Sequence, residues 1–389
     1  MKTFISVSGY LAVKEIWRNR GRFLLVSLVI ALITLLVLFI AALGEGLGNG
    51  NREYISKLDA EFLVYQAKSD SIISASRLGR DRLASIKRVE GVADAGVLGT
   101  SSVTLVLADD KTQKAALLGV DPGHVGEPKV VSGSQFSTDL ANEAIIDRNT
   151  AIRTGIKLGD NIIVRATQGT RDEFFTLKVV GVTDGQQYSL QPSVFVPFFT
   201  WDRIRPKSEA EVNSSNPVAN IVIVKLMDPA QGAVVRQRML AQVANVDVIT
   251  RDQAVNALPG YSAQQSTLNT QGAFTLFIGI LVIGGFFQIQ ILQKVAQIGV
   301  LKAIGTANPI VALASVIQIV VITTIGVGIG GLMTFLFSLF FPPTVPIVFN
   351  GTTTLVAVLA LLLIGPLGGL VSIRYAVRIE PLKALGLSS

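Results

Sequence analysis

Four long apolar stretches divide the chain, and each reaches or exceeds the roughly 20 residues that a helix needs to cross a bilayer. They occupy residues 23–43, 273–292, 310–341 and 355–373, and no acidic or basic side chain lies within them. Because backbone groups in lipid must be hydrogen-bonded within the protein, each stretch predicts a transmembrane helix. The first apolar run exceeds the roughly 7–15 residues of a cleaved signal peptide, so we interpret it as a retained span.

A long polar insert, residues 44–272, separates the first two spans. Short runs rich in Val, Ile, Leu and Phe, bounded by turn residues, predict its strands. These runs are 61–66, 104–108, 115–120, 161–166, 175–182, 193–198 and 220–226. Two segments, 79–92 and 228–246, predict helices, and Asp228 followed by proline is typical of a helix start. The mixture predicts an α+β domain in two lobes, inserted between the first and second transmembrane helices.

The remaining segments connect or flank the spans. They are a predicted amphipathic N-terminal helix (1–22), a short connecting helix (293–309), a loop (342–354) and a C-terminal tail (374–389). Residues 51–58 and 262–271 can extend the first and second spans as helices. Such extensions would let movement of the membrane helices reach the insert.

The distribution of charge predicts the orientation. Half of the chain is hydrophobic and only 16% is charged, whereas soluble domains carry roughly 25% charged residues. Outside the insert, the basic residues flank the spans at one set of ends. They are Lys2, Lys14, Arg18, Arg20, Arg22, Lys294, Lys302, Arg374, Arg378 and Lys383. The positive-inside rule therefore places both termini and segment 293–309 in the cytoplasm, with the insert and loop 342–354 outside.

The same pattern accounts for the net charge of +7 without nucleic-acid binding, since the basic residues do not gather on one polar domain. We expect membrane-interface anchoring from Trp17, Arg18, Arg20, Arg22 and Arg374. Within the spans, Gly326 with Gly330 and Gly365 with Gly369 have the small-xxx-small spacing that permits close helix packing.

The sequence lacks the motifs of a catalytic subunit. There is no cysteine and a single histidine, His124, so a thiolate or multi-histidine metal site is excluded. No Walker A, nucleophile-elbow or HExxH motif is present. Ionisable residues are missing from the spans, which disfavours an ion-coupled carrier. We therefore predict a non-enzymatic membrane protein that binds no metal or cofactor itself.

The stretch "IGVLKAIGTANPIV" (298–311) is more apolar than a simple connecting loop needs to be. Its pattern predicts a helix with Ile298, Leu301 and Ile304 on one side and Gly305 as its stop. Asn308–Pro309 then predicts the start of the next helix. It resembles the E-I-G-x-L-[RK]-A-[IL]-G-A element of the MacB/FtsX-type ABC transporter permeases. Segments 11–25 and 374–386 resemble the N- and C-terminal elements of that family. In the insert, "LLGVDP", "GEPKVVSGSQF", "ANEAIIDRNTAIRTGIKLGDNIIV" and "VFVPF" resemble its extracytoplasmic domain.

The resemblance implies a mechanism and a set of contact residues. A dimer of permease chains, or a pair of related chains, would bind two copies of a cytoplasmic ATPase that holds ATP and Mg²⁺. Mechanotransmission would carry ATPase motion to the outside domain, which exports or extracts an antibiotic, peptide, lipid or lipoprotein. The implied ATPase-coupling residues are Gln297, Ile298, Gly299, Leu301, Lys302, Ala303, Ile304, Gly305 and Asn308. Gln297 replaces the acidic residue that the family usually has.

The resemblance also implies a location in the cell (inner) membrane, with the large domain periplasmic or extracellular. A periplasmic adaptor and membrane lipids are further candidate partners. An alternative is a membrane-anchored sensor or regulator, for example an activator of a cell-wall hydrolase. A sensor would need an output domain, however, and the segments beyond the spans look too short to fold alone. A channel would need a polar lining that these spans do not offer.

Overall fold

A computed structural model describes residues 2–107, 111–212, 217–342 and 345–378. Most of the predicted C-terminal tail, including Lys383, lies outside the described residues. The chain divides into two compact units. The membrane unit extends up to Gly46 and resumes at Gln265, and the insert domain comprises Leu47–Gln264.

Helices dominate the membrane unit and accompany the sheet of the insert domain. In chain order they are α1 (Lys2–Arg18), α2 (Arg20–Ser56), α3 (Arg80–Lys87), α4 (Arg148–Thr154), α5 (Phe198–Ile204), α6 (Glu209–Val212), α7 (Gly232–Gln242), α8 (Arg251–Asn256), α9 (Tyr261–Gln293), α10 (Val295–Ala303), α11 (Asn308–Ser338) and α12 (Gly351–Arg378).

Strands occur only in the insert domain among the described residues. They are β1 (Phe62–Gln66), β2 (Leu78–Gly79), β3 (Val92–Val106), β4 (Thr112–Val120), β5 (Val130–Gly133), β6 (Glu143–Asp147), β7 (Asn161–Gln168), β8 (Arg171–Thr183), β9 (Ser193–Pro197), β10 (Val218–Ala219), β11 (Ile221–Leu226) and β12 (Val246–Thr250).

Four of the described helices, α2, α9, α11 and α12, are long and apolar enough to cross a membrane. The predicted four spans with an insert between the first and second are confirmed. Helix α2 continues to Ser56 and α9 starts at Tyr261, so the predicted helical extensions are present.

The N-terminal segment expected as one helix over 1–22 is divided. Helix α1 ends at Arg18, and Arg20 and Arg22 belong to α2. The carbonyl of Asn19 accepts hydrogen bonds from the backbone N–H groups of Arg22 and Phe23, at 3.0 and 3.2 Å. Asn19 therefore opens a new helix, which a pattern of apolar positions alone does not reveal.

The core of the membrane unit is formed by large apolar side chains of α2, α9, α11 and α12. Its buried members include Phe23, Ile30, Ile283, Phe287, Ile319, Ile322, Leu361 and Ile364. Lipid is as apolar as these side chains, so close packing rather than exclusion of water holds the four helices together.

The insert domain is built on a ten-stranded mixed sheet in the order β12-β1-β11-β3-β4-β9-β6-β8-β5, with β7 pairing with β3 and β8. Along β1, Val64 contributes to one apolar cluster while its neighbours Leu63 and Tyr65 contribute to the other. This alternation shows that the sheet is covered on both faces. Strands from both halves of the domain belong to the same sheet. The two predicted lobes would therefore share this one sheet.

Strand β3 is the longest strand, and the sequence revealed only its end. Its first half contains Gly96 and Gly99, which weaken a strand signal. A Cβ on Gly99 would lie 2.5 Å from the ring of Trp201, a buried residue of α5. Glycine is needed here because the indole packs directly on the strand, a requirement set by residues far away in the sequence.

Candidate functional site

The connection between α9 and α11 contains a short helix of its own. Helix α9 ends just before Lys294, where the regular helix is interrupted, and α10 then covers nine residues, Val295–Ala303. Asn308 and Pro309 open α11, as predicted. Proline fits the first turn because its missing N–H would have no helical partner there.

Helix α10 ends in a Schellman motif. The backbone N–H of Gly305 donates to the carbonyl of Lys302, and that of Thr306 donates to the carbonyl of Leu301, both at 3.0 Å. The motif needs a residue in the left-handed region, and Gly305 supplies it with a φ of +96°. The helix stop predicted at Gly305 is therefore present.

Only one side of α10 packs against the other helices of the membrane unit. Ile298 and Gly299 are buried, and Ile298 packs in a small cluster with Ile291, Val311 and Ala376. In contrast, Val300 is 46% and Ile304 75% exposed. The other predicted coupling residues divide similarly: Leu301 and Lys302 are half-buried, and Gln297, Ala303, Gly305 and Asn308 are exposed. The helix thus combines an anchored side with an accessible apolar one.

Lys302 connects α10 to the end of α12. Its Nζ donates a hydrogen bond to the carbonyl oxygen of Val377 at 2.6 Å. Burial lowers the pKa of the Lys302 ammonium, because desolvation disfavours the charged form. Lys302 therefore makes an internal contact while its side chain stays half-buried.

A polar network joins three elements next to α10. The Glu15 carboxylate of α1 forms an ion pair with Lys294, and Gln318 of α11 donates to its other oxygen at 2.5 Å. Nearby, Arg22 donates to the side-chain oxygen of Gln293 at 2.6 Å. Glu15 was not predicted as a functional residue, although it is the one acidic residue among the basic residues before the first span.

The predicted interface residues lie on exposed surfaces. Trp17 is 76% exposed, and Arg18, Arg20, Arg22 and Arg374 are exposed as well. On α1, the exposed Tyr10 and Val13 precede Trp17 at helical spacing. An apolar stripe beside basic residues is typical of a helix that lies at a membrane surface.

The four glycines selected from their spacing lie at helix crossings. A Cβ on Gly326 would be 2.6 Å from Ile30 of α2, and one on Gly330 would collide with the backbone of Ala31. On α12, a Cβ on Gly365 would meet Thr323 and one on Gly369 would meet Ile319. The structure also brings α9 and α12 together at Gly284 and Gly368, a crossing that sequence reasoning missed despite the Gly-Gly pairs there.

The insert domain holds the single histidine in an ion-pair arrangement. The Nδ1 atom of His124 lies 2.8 Å from the Asp94 carboxylate, and Nε2 lies 3.4 Å from Lys87 Nζ. Partial burial works to raise the pKa of Asp94, but the Val125 N–H and the His124 ring outweigh it and lower the pKa. No cluster of three metal-ligating side chains occurs within the described ranges.

Family comparisons agree with this architecture. Residues 23–242, more than half of the chain, match the family model of the MacB-like periplasmic core domain. Residues 270–381 match that of the FtsX-like permease C-terminal region. The chain belongs to the MacB/FtsX-type family of ABC transporter permeases. It is therefore a membrane-embedded permease subunit with an extracytoplasmic domain, and its relatives are generally non-catalytic subunits that work with a cytoplasmic ATPase.

Curated relatives match this permease over nearly its whole length. A protein named as a hemin transport system permease, HrtB of Staphylococcus haemolyticus, is 24% identical across 97% of this chain and 99% of its own. An uncharacterized ABC transporter permease of Mycobacterium tuberculosis is 24% identical over 95% of this chain and 97% of its own.

Two solved structures align with about half of this chain. The extracellular domain of the ABC-type transporter YknZ from Gram-positive bacteria aligns with a TM-score of 0.36 and 15% identity, covering 49% of this chain and 99% of that one. The periplasmic region of MacB from Actinobacillus actinomycetemcomitans aligns with a TM-score of 0.38 and 14% identity, covering 52% and 94%.

Proposed function

We propose that this permease transmits mechanical motion from a separate cytoplasmic ATPase to its extracytoplasmic domain, which then exports or extracts a substrate. The observation that carries the proposal is the division of α10 into a buried and an exposed side. Ile298 fixes the helix to the membrane unit, while Val300 and Ile304 offer an apolar surface to a partner. An exposed apolar patch of this kind marks a protein contact.

The proposed orientation has both termini and α10 in the cytoplasm. The basic residues outside the insert flank the spans at one set of ends, and loop 342–354 contains no charge. Basic residues favour the cytoplasmic side of a membrane. This orientation is required for α10 to meet a cytoplasmic ATPase.

The proposed transmission path consists of helices α2 and α9. Each is continuous, from Arg20 to Ser56 and from Tyr261 to Gln293. A helix that is not interrupted by a loop can pass a displacement along its length. The Glu15 network supports the same proposal, because it links α1 and α11 to the junction between α9 and α10.

The partners follow from this mechanism. The ATPase would hold ATP and Mg²⁺, and the permease would bind no cofactor of its own. A second permease chain, identical or related, would complete the membrane part, and an adaptor protein could join the extracytoplasmic domain.

Hemin is one candidate substrate, because the HrtB relatives carry that name. It belongs with antibiotics, peptides, lipids and lipoproteins to the amphiphilic molecules that a transporter of this kind would move. Hemin transport would be supported if cells lacking the permease became sensitive to external hemin but kept their resistance to an unrelated amphiphile.

The coupling surface can be tested by co-purification of the ATPase with Val300→Asp and Ile304→Asp variants. A charge placed in an apolar contact is costly to desolvate, so we expect at least about a tenfold loss of bound ATPase. Met227→Asp provides the matched control, since Met227 is 73% exposed in the insert domain. Full retention of the ATPase by both α10 variants would refute the proposed contact.

A further inference from the structure

The membrane unit contains a cavity of about 380 Å³ lined by α1, α9, α10 and α11. Its volume lies within the range of about 300–1,000 Å³ that is usual for small-molecule sites. Basic side chains from two elements reach it: Lys14 and Arg18 from α1, and Lys294 from the α9–α10 junction. The remaining wall combines apolar side chains, such as Phe287 and Ile319, with polar ones, such as Asn19 and Gln290.

The charges around this cavity favour an anion. Glu15 is the single carboxylate among the lining residues, which leaves a net charge of +2 with Lys14, Arg18 and Lys294. Both oxygens of that carboxylate are already engaged, one by Lys294 and the other by Gln318. Lys14 and Arg18 of α1 therefore make the electrostatic potential inside the cavity positive.

A buried amide in the cavity wall also calls for an acceptor. Gln290 is only 3% exposed, and its Nε2 has no hydrogen-bond partner within the described part of the chain. A buried donor without a partner is unfavourable. A ligand with several oxygen acceptors would satisfy this amide while its charge pairs with the basic residues.

The position of α1 indicates what kind of anion can reach the cavity. Lys14 and Arg18 border the cavity and also a second, apolar groove with Tyr10, Val13 and Trp17. Because exposed aromatic and apolar residues beside basic ones are typical of the headgroup level of a bilayer, the two spaces can hold the two ends of one amphiphile. The polar end would enter the cavity and the acyl chains would remain on the apolar groove.

We propose that this cavity binds the headgroup of one anionic phospholipid from the leaflet in which α1 lies. Its phosphate would pair with Lys14 and Arg18 and accept a hydrogen bond from Gln290. Basic pockets between membrane helices are suited to such headgroups. A zwitterionic lipid fits less well, because the only carboxylate of the cavity is already paired. The lipid would stabilise the packing of α1 against α11 and against the α9–α10 junction.

The proposal can be tested by native mass spectrometry of the full-length permease in detergent with added phosphatidylglycerol. Each basic group is expected to contribute about fivefold to binding, so the double variant Lys14→Ala/Arg18→Ala should bind about 25-fold more weakly. Gln290→Leu, which keeps the size of the side chain, should weaken binding about tenfold. Phosphatidylcholine should bind no better to the native chain than to these variants.

Two matched controls separate the cavity from general charge and folding effects. Gln288→Leu makes the same change on α9 at a residue that does not line the cavity, and Lys114→Ala/Arg171→Ala removes two exposed basic residues of the insert domain. Both should retain phosphatidylglycerol.

Equal binding by the native chain and the cavity variants would overturn the proposal, as would displacement of the lipid by millimolar inorganic phosphate, which would indicate a site for a soluble anion. Binding is measured on the permease alone, so the result does not depend on the proposed ATPase coupling.

Discussion

At the residue scale, Glu15 joins three elements that are distant in the sequence. Its carboxylate contacts Lys294 and Gln318, and the Lys294 side chain is only 14% exposed. A partly buried ion pair contributes mainly by ensuring that neither charge is left alone. We therefore expect Glu15 to matter for the assembly of the α10 region rather than for any chemistry.

Glu15→Ala should destabilise the membrane unit by about 1–3 kcal/mol, because it leaves the Lys294 ammonium without its carboxylate partner. Lys294→Met should cost less when combined with Glu15→Ala than the sum of the single effects predicts. Thermal unfolding of the full-length variants in detergent measures these differences. Strictly additive effects would show that the two residues do not stabilise each other.

Single residues also show the limit of sequence reasoning. Gly305 was recognised as a helix stop because the signal is local, a glycine after an apolar helical segment. Ile298 and Ile304 were expected to share one side of α10, yet one is buried and the other exposed. Their different environments follow from the packing of α10 against α9, α11 and α12, which the pattern of α10 alone does not contain.

At the scale of elements, glycines set how closely the membrane helices approach one another. In α11, Gly326 faces Ile30 of α2, whereas Gly328 has no neighbouring atom within 4 Å of where a Cβ would be. The two residues lie on the same helix but on opposite sides. They form a matched pair for testing the α2–α11 crossing.

Gly326→Ala should destabilise the membrane unit by about 1–3 kcal/mol, since α2 and α11 must separate to admit the methyl group. Gly328→Ala should be neutral or slightly stabilising, because alanine restricts the unfolded chain and meets no neighbour. Differential scanning fluorimetry in detergent would compare the two. If both substitutions had the same effect, the helices would not cross at Gly326.

At the scale of the whole molecule, the decisive property is which side of the membrane each part faces. The chain contains no cysteine, so single cysteines introduced at chosen positions report their accessibility without background. Thr138 in the insert domain and Ala307 between α10 and α11 are both exposed. They lie on the two sides that the charge distribution assigns.

A membrane-impermeant maleimide should label Thr138→Cys in intact spheroplasts and Ala307→Cys only after permeabilisation. We expect this labelling pattern because basic residues beside membrane spans favour the cytoplasmic side. The fraction of labelled protein is measured from the mass shift of the purified chain. The reverse pattern would invert the topology and place α10 beyond the reach of a cytoplasmic ATPase.

Patterns along the sequence were sufficient to predict the four spans, the position of the insert, the strands with clear apolar runs and the helix stop at Gly305. These features depend on the composition and periodicity of short segments. Such local signals are the same wherever the segment lies in the fold. The family resemblance of segment 298–311 was also readable, because it is a continuous motif.

The folded chain was needed to reveal the pairing of the ten strands, the contact of Gly99 with Trp201 and the crossing at Gly284 and Gly368. The same holds for the partners of Glu15 and for the buried position of Gln290. Each of these depends on two segments meeting across a long sequence separation. The apolar pattern of one segment indicates which of its faces is buried. It does not indicate which residues of another segment that face will contact.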